Sequence, residues 1–157
     1  MSLSDTITDP HNLLQEWSDR LQADGCRITQ ARRAVLKVLS EANVVLNPMQ
    51  VFLAARKQAP RLGLVSVYRT LEIMESHGLI QRVHQANGCN GFLTAGVGHQ
   101  HLLICTRCGC AIHFEGDDIT ALTEELSARH GFLIQEHWLQ FEGLCPKCQG
   151  QAKSSGL

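Results

Sequence analysis

The feature that most constrains this chain is a pair of short cysteine motifs, Cys-Thr-Arg-Cys at 105–108 and Cys-Pro-Lys-Cys at 145–148. Two pairs with two-residue gaps can present four thiolates to one ion, each pair from a tight knuckle. Zinc favours such a tetrahedral four-sulfur set, with bonds near ~2.3 Å and no open position. The competing readings are two unrelated thiol pairs, a redox pair of the thioredoxin kind and a disulfide framework. The pairs sit beside strand-like segments and no βαβ pattern is present. This favours one structural zinc per chain, held by Cys105, Cys108, Cys145 and Cys148. The remaining thiols outside the hairpin region, Cys26 and Cys110, read as small buried apolar residues.

The early segment carries Asp5, Asp9, Glu16 and Asp19 and no basic-then-apolar block, so no secretory signal is expected. No apolar run reaches the ~18 residues of a membrane span. A cytoplasmic protein with no membrane partner is therefore expected.

The 157 residues carry a formal net charge of -1, which taken alone argues against a nucleic-acid binder. The average hides an asymmetry. Between 20 and 69, nine Lys and Arg stand against Asp24 and Glu41, a local net of +7. Six of the eight His and six of the seven Cys lie after residue 83. A basic half joined to a half rich in metal-capable side chains points to two domains with different work.

The basic half reads as helices followed by strands. A first helix over 11–24 places Leu13, Leu14, Trp17 and Leu21 at helical spacing, ending at Gly25. Thr29 caps a second with Ala34, Val35, Val38, Leu39 and Ala42 on one face. Asn47-Pro48 opens a third through Val51, Phe52 and Ala55. Ser66 opens a fourth, closed by Gly78, with Val67, Leu71 and Met74 inward and Tyr68, Arg69, Glu72 and Ser76 outward. Strand-like runs over 79–84 and 89–94 flank Asn87-Gly88, a hairpin signal. Short helices followed by a hairpin outline a winged helix-turn-helix, whose last helix enters the major groove. In that frame Arg69 can bond a guanine edge, and Tyr68 can meet a thymine methyl or a phosphate. Ser66 stands beside them on the helix, and Arg27, Arg32 and Arg33 suit phosphate contacts.

A second constellation is His99-Gln-His101, with His113 and Cys89 near in the chain. Residues two apart on a strand share a side, so His99 and His101 can converge on a metal. A turn and a returning strand after Cys105 can bring back His113, and Cys89 can add a thiolate from the hairpin. His84 and His137 are weaker candidates. Nitrogen and sulfur donors favour zinc over manganese or calcium, while imidazole-rich sets also take iron, nickel or copper.

In order, Thr29-x-x-Arg32, Ser66-Val-Tyr-Arg69-Thr-Leu71, Gly98-His-Gln-His101-Leu-Leu-Ile-Cys-Thr-Arg-Cys-Gly109, His130-Gly131-Phe132 and Gly143-Leu-Cys-Pro-Lys-Cys148 resemble the ferric uptake regulator family over roughly 11–149. The resemblance implies an α+β chain: a winged-helix DNA-binding domain over 1–93, a hinge over 94–98, an α/β dimerisation domain over 99–149 and a flexible tail over 150–157. In the second domain strands flank a helix, matching 102–114, 117–129 and 132–141. It implies a homodimeric repressor that binds a two-fold double-stranded DNA operator when loaded with metal.

The family's DNA-contacting Tyr-Arg pair falls on Tyr68 and Arg69, and its structural zinc cysteines on Cys105, Cys108, Cys145 and Cys148. Its sensing histidines fall on or beside His99 and His101, and its carboxylate eight residues after the first cysteine falls on His113. Val45 occupies the region where iron and peroxide sensors often place a histidine, and Thr120 stands where some members have a glutamate ligand of a further site, so no further site is expected. More nitrogen and sulfur and less oxygen resembles the zinc-uptake branch, so the second, regulatory divalent metal is expected to be zinc, with iron as the alternative. Metal held by Cys89, His99, His101 and His113 would order two reading heads for the operator.

The other readings are an iron- or peroxide-sensing member of the family, a constitutive DNA-binding module with only the structural zinc, and an enzyme. For the last, His113-Phe-Glu115 with Leu144-Cys-Pro-Lys-Cys148 partly resembles the zinc deaminase signature. That signature needs proline before the first cysteine, where Leu144 stands, and leaves Cys105 and Cys108 without a role. No enzyme activity is expected.

Overall fold

The computed structural model describes residues 10–84, 90–96, 100–115 and 119–154. The chain forms two compact units, Met1–Ala95 and Gly96–Leu157.

In the first unit, α1 (Pro10–Ala23), α2 (Gln30–Ser40), α3 (Pro48–Arg56) and α4 (Leu64–Ser76) precede strands β1 (Ile80–His84) and β2 (Asn90–Thr94). The caps follow the sequence. Thr29 Oγ1 accepts the Arg32 N–H at 3.2 Å, and Asn47 and Gln50 exchange bonds of 2.8 and 2.9 Å in a capping box. These bonds satisfy N–H groups that the first helical turn leaves without partners. One start differs from expectation. Gly63, with extended backbone, caps α4, and Ser66 lies inside the first turn with its N–H on the Gly63 carbonyl. Leu62, just before this cap, is buried.

One apolar core joins Trp17 and Leu21 of α1, Val35, Leu36 and Leu39 of α2, Val51 and Ala55 of α3, Val67, Leu71 and Met74 of α4, and Ile80 and Phe92 of the hairpin. Fully burying each of the larger aliphatics contributes about 1.5–3 kcal/mol. β1 and β2 pair antiparallel from Ile80↔Thr94 to His84↔Asn90, and a bridge Leu46↔Phe92 extends this ribbon. A Cβ on Gly91 would lie 2.2 Å from Val45 Cγ1, so this crossing requires glycine. Val45 is a buried packing residue. The expected Asn87-Gly88 turn lies outside the described residues. Helices with a wing-like ribbon make this unit a winged helix.

The second unit contains β3 (Gln100–Cys105), β4 (Ala111–Glu115), α5 (Thr120–His130), β5 (Gln140–Gly143) and α6 (Pro146–Ser154). The sheet order is β4-β3-β5, with β3 antiparallel to β4 and parallel to β5. The long strand expected over 132–141 is replaced by the short β5. That strand pairs with β3 only from Leu102 to Cys105, and Phe132, Leu133 and Trp138 stay exposed ahead of it. A helix also occupies ground read from sequence as knuckle and polar tail. Pro146 starts α6, which runs to Ser154, consistent with the preference for proline in a first turn. Among the described residues no helix is long and apolar enough to cross a membrane. The architecture is α+β.

Candidate functional site

The cysteine knuckles come together in the second unit. β3 ends at Cys105, and the Gly109 N–H bonds the Cys105 carbonyl at 2.9 Å while the Cys105 N–H bonds the Cys110 carbonyl at 2.8 Å. Gly109 makes this tight return with φ of 73°, a conformation that costs glycine little. The second knuckle docks through Thr106 N–H to the Gly143 carbonyl, 2.8 Å, and Cys145 N–H to Cys105 Sγ, 3.3 Å. The Sγ atoms of Cys108 and Cys145 are 3.8 Å apart.

The local environment shifts these thiols in opposite directions. The Cys145 and Cys108 backbone N–H groups hold the Cys105 thiol down to about 5. The Cys148 N–H, in the first turn of α6, lowers the Cys145 thiol. Burial and then the Cys145 thiol push Cys148 up to about 12. Metal binding to such a set releases protons and couples to folding. The four expected donors fit a closed zinc site in chemistry, and the sulfurs of Cys105, Cys108 and Cys145 lie within 4.8 Å of one another, a group that includes Cys110 and not Cys148. One expectation changes here. Cys110 is not an isolated apolar filler, because its sulfur lies within 4.8 Å of those of Cys105, Cys108 and Cys145.

The histidines divide differently from the sequence reading. The register pairs His101 with Phe114 and Leu102 with His113. Directly paired residues share a face and neighbours along a strand alternate, so His101 and His113 point to opposite faces of the sheet. They cannot converge as the sequence reading required. His101 is buried, with its ring centroid 5.6 Å from Phe114 and 5.2 Å from His137. His137, a weaker candidate by sequence, is thus the imidazole that the fold brings to His101. His113 packs over Gly96, where a Cβ would approach its Cδ2 to 2.9 Å, and burial lowers its pKa. His84 ends β1 in the first unit and is exposed. Cys89 and His99 lie outside the described residues.

In the first unit, α4 carries the residues expected to meet nucleic acid. Val67, Thr70, Leu71 and Met74 are buried, while Ser66, Tyr68 (48% exposed) and Arg69 face outward. Arg27 and Arg33 are exposed as well. Arg32 is partly buried and donates through Nη1 to the Arg27 carbonyl, which ties down the turn between α1 and α2. A feature absent from the sequence reading joins α4 to the wing. Arg82 Nε and Nη2 bond the two Glu75 carboxylate oxygens at 3.0 and 2.7 Å, and the guanidinium lies 5.2 Å from the Phe92 ring centroid. The bond to Arg82 holds the Glu75 carboxyl below its ordinary range. No periodicity marks this pair, since a helix and a strand supply one residue each.

Comparisons with known proteins agree with this fold. The model of the ferric uptake regulator family matches residues 23–142. The ferric uptake regulation protein of Legionella pneumophila is 33% identical over 136 residues, covering 85% of this chain and 99% of the relative. The zinc uptake regulation protein of Mycobacterium tuberculosis is 29% identical over 129 residues, covering 82% and 99%. A solved zinc uptake regulator complexed with zinc and DNA superposes with a TM-score of 0.72, covering 93% of this chain and 99% of that one. At 20% identity, that likeness bears on the fold.

Proposed function

Because this chain belongs to the ferric uptake regulator family of metal-responsive transcriptional regulators, we propose that it is a zinc-responsive repressor acting as a homodimer on a two-fold double-stranded DNA operator. The observation that carries this reading is one chain with an exposed Tyr68–Arg69 helix face on one unit and thiol and imidazole donors on the other. It acts in the cytoplasm by binding, without catalysis.

Structural zinc is assigned to Cys105, Cys108, Cys145 and Cys148, and would cross-link the two knuckles. The regulatory donors are His101 and His137, whose rings adjoin, with His99 two positions earlier in the chain and Cys89 as a thiolate candidate. Imidazole and thiolate donors support zinc. An iron-responsive regulator is the second reading, favoured by the name of the Legionella pneumophila relative. Tyr68, Arg69 and Ser66 face the groove, and Arg27 and Arg33 supply phosphate contacts.

A row of exposed apolar side chains supports the homodimer. Ile112, Leu103 and Phe141, 56%, 42% and 50% exposed, neighbour one another across β4, β3 and β5. Leu122 and Leu126 of α5 are exposed too, and no residue of that helix is buried in the single chain. Such surface requires cover, and a second copy satisfies it symmetrically.

The switch is a population shift: metal favours the DNA-competent form because it binds that form more tightly, with coupling of about 1–3 kcal/mol. Operator gel shifts at fixed salt test it, with zinc or iron(II) added to chelated protein. Stronger binding with zinc is expected, and equal affinity with and without metal would refute the switch. His137→Ala should weaken the zinc response more than His113→Ala. Arg69→Ala should reduce operator affinity, and unchanged binding would remove it from the reading face.

A further inference from the structure

The sulfurs of Cys105, Cys108, Cys110 and Cys145 form one group, and with Cys148 against the Cys145 thiol the second unit offers one sulfur more than a tetrahedral zinc can use. The register that ends at Ile104↔Ala111 places Cys110 opposite Cys105, and the 2.8 Å bond from Cys105 N–H to the Cys110 carbonyl closes that rung. Opposed residues on an antiparallel ladder share a face, so Cys110 points to the side on which Cys105 meets the second knuckle. The sulfurs of Cys105, Cys108, Cys110 and Cys145 all lie within 4.8 Å of one another. Four sulfurs around zinc at ~2.3 Å stand about 3.8 Å apart, the separation already present between Cys108 and Cys145. Small side-chain rotations would bring Cys110 to the same distance. Cys148, which the paired-motif spacing selects instead, comes from the first turn of α6 and is buried.

We propose that Cys110 is a reserve ligand of the zinc centre, completing the four-sulfur set when Cys148 or Cys108 is absent. This rests on the zinc reading of the cluster and extends it from four thiols to five. The centre then has two routes to a closed sulfur shell. A strand end supplies Cys110, and the start of a helix supplies Cys148. Loss of one ligand need not open the site to water.

The test uses the full chain, with Cys110→Ser, Cys148→Ser and the double variant. Native mass spectrometry counts zinc per chain, and the charge-transfer absorption of cobalt(II)-substituted protein counts sulfur ligands. The wild type and both single variants are expected to hold about one structural metal with a four-sulfur spectrum. The double variant should lose about a quarter of that absorption, as one of four sulfurs is gone, and should release zinc more readily to a chelator. A three-sulfur spectrum in Cys148→Ser alone, equal to that of the double variant, would overturn the proposal while leaving the zinc reading intact. A wild type without structural zinc or a four-sulfur cobalt spectrum would instead sink the zinc reading and this proposal with it. If Cys148→Ser does not fold, Cys108→Ser takes its place, since Cys108 is exposed. Retained four-sulfur binding that is lost on adding Cys110→Ser supports the proposal, and its loss in Cys108→Ser alone overturns it.

Discussion

Replacing Arg82 with methionine would sever both hydrogen bonds between the wing and α4 while keeping an unbranched side chain against Phe92. The guanidinium and the Glu75 carboxylate meet side by side at 3.0 and 2.7 Å, with side chains 39% and 32% exposed. Exposed ion pairs contribute about 0.2–1 kcal/mol after screening and side-chain entropy. The paired geometry puts this one near the upper end, at about 1 kcal/mol. The guanidinium over Phe92 adds about 0.5 kcal/mol, which Arg82→Met loses and Glu75→Gln keeps.

A double-mutant cycle with these two substitutions therefore should yield a coupling of about 0.5–1 kcal/mol at neutral pH. Urea unfolding followed by the fluorescence of buried Trp17 measures it, in a Trp138→Phe background to silence the second unit. Glu75 has a lowered folded-state pKa, so its stabilisation is present above the ordinary carboxyl value of about 4.3 and fades as pH falls through the lowered value. Coupling below about 0.2 kcal/mol at neutral pH, or coupling undiminished once the carboxyl is protonated, would show that this ion pair does not hold the wing to α4.

Gly91→Ala should destabilise the winged helix by about 1–3 kcal/mol through overpacking against Val45, and Val45→Ala in the same chain should recover part of the loss in thermal melts. Asn47→Ala should cost about 1 kcal/mol by removing the cap of α3, with Asn47→Gly costing less, as read by urea midpoints. Stripping zinc with a strong chelator should loosen the second unit and spare the first. The large apolar cluster belongs wholly to the first unit, whereas the second buries few side chains. Hydrogen exchange should show protection lost in β3–β5 and kept in α2–α4.

The elements of the first unit were legible because their signals are local. Thr29, Asn47-Pro48 and the Val67–Leu71–Met74 stripe act within a few residues of themselves, and each does in the fold what its spacing implies. The α4 cap is Gly63 and not Ser66, a difference of three residues between two neighbouring local starts. The second unit was harder to read. A strand over 132–141 has apolar residues enough, yet the available edge of β3 pairs only β5, Gln140–Gly143.

Residue identity and short-range spacing suffice for the cysteine pairs, the basic segment that the net charge conceals and the outward Tyr68–Arg69 face. Tertiary structure alone decided which donors meet. Strand register sent His101 and His113 to opposite faces and brought His137 to His101. The same register put Cys110 opposite Cys105 and so brought a further thiol among those expected. The reason is the two-residue period of a strand: shifting the pairing by one residue reverses every side chain, and that pairing is set by contacts far apart in the chain.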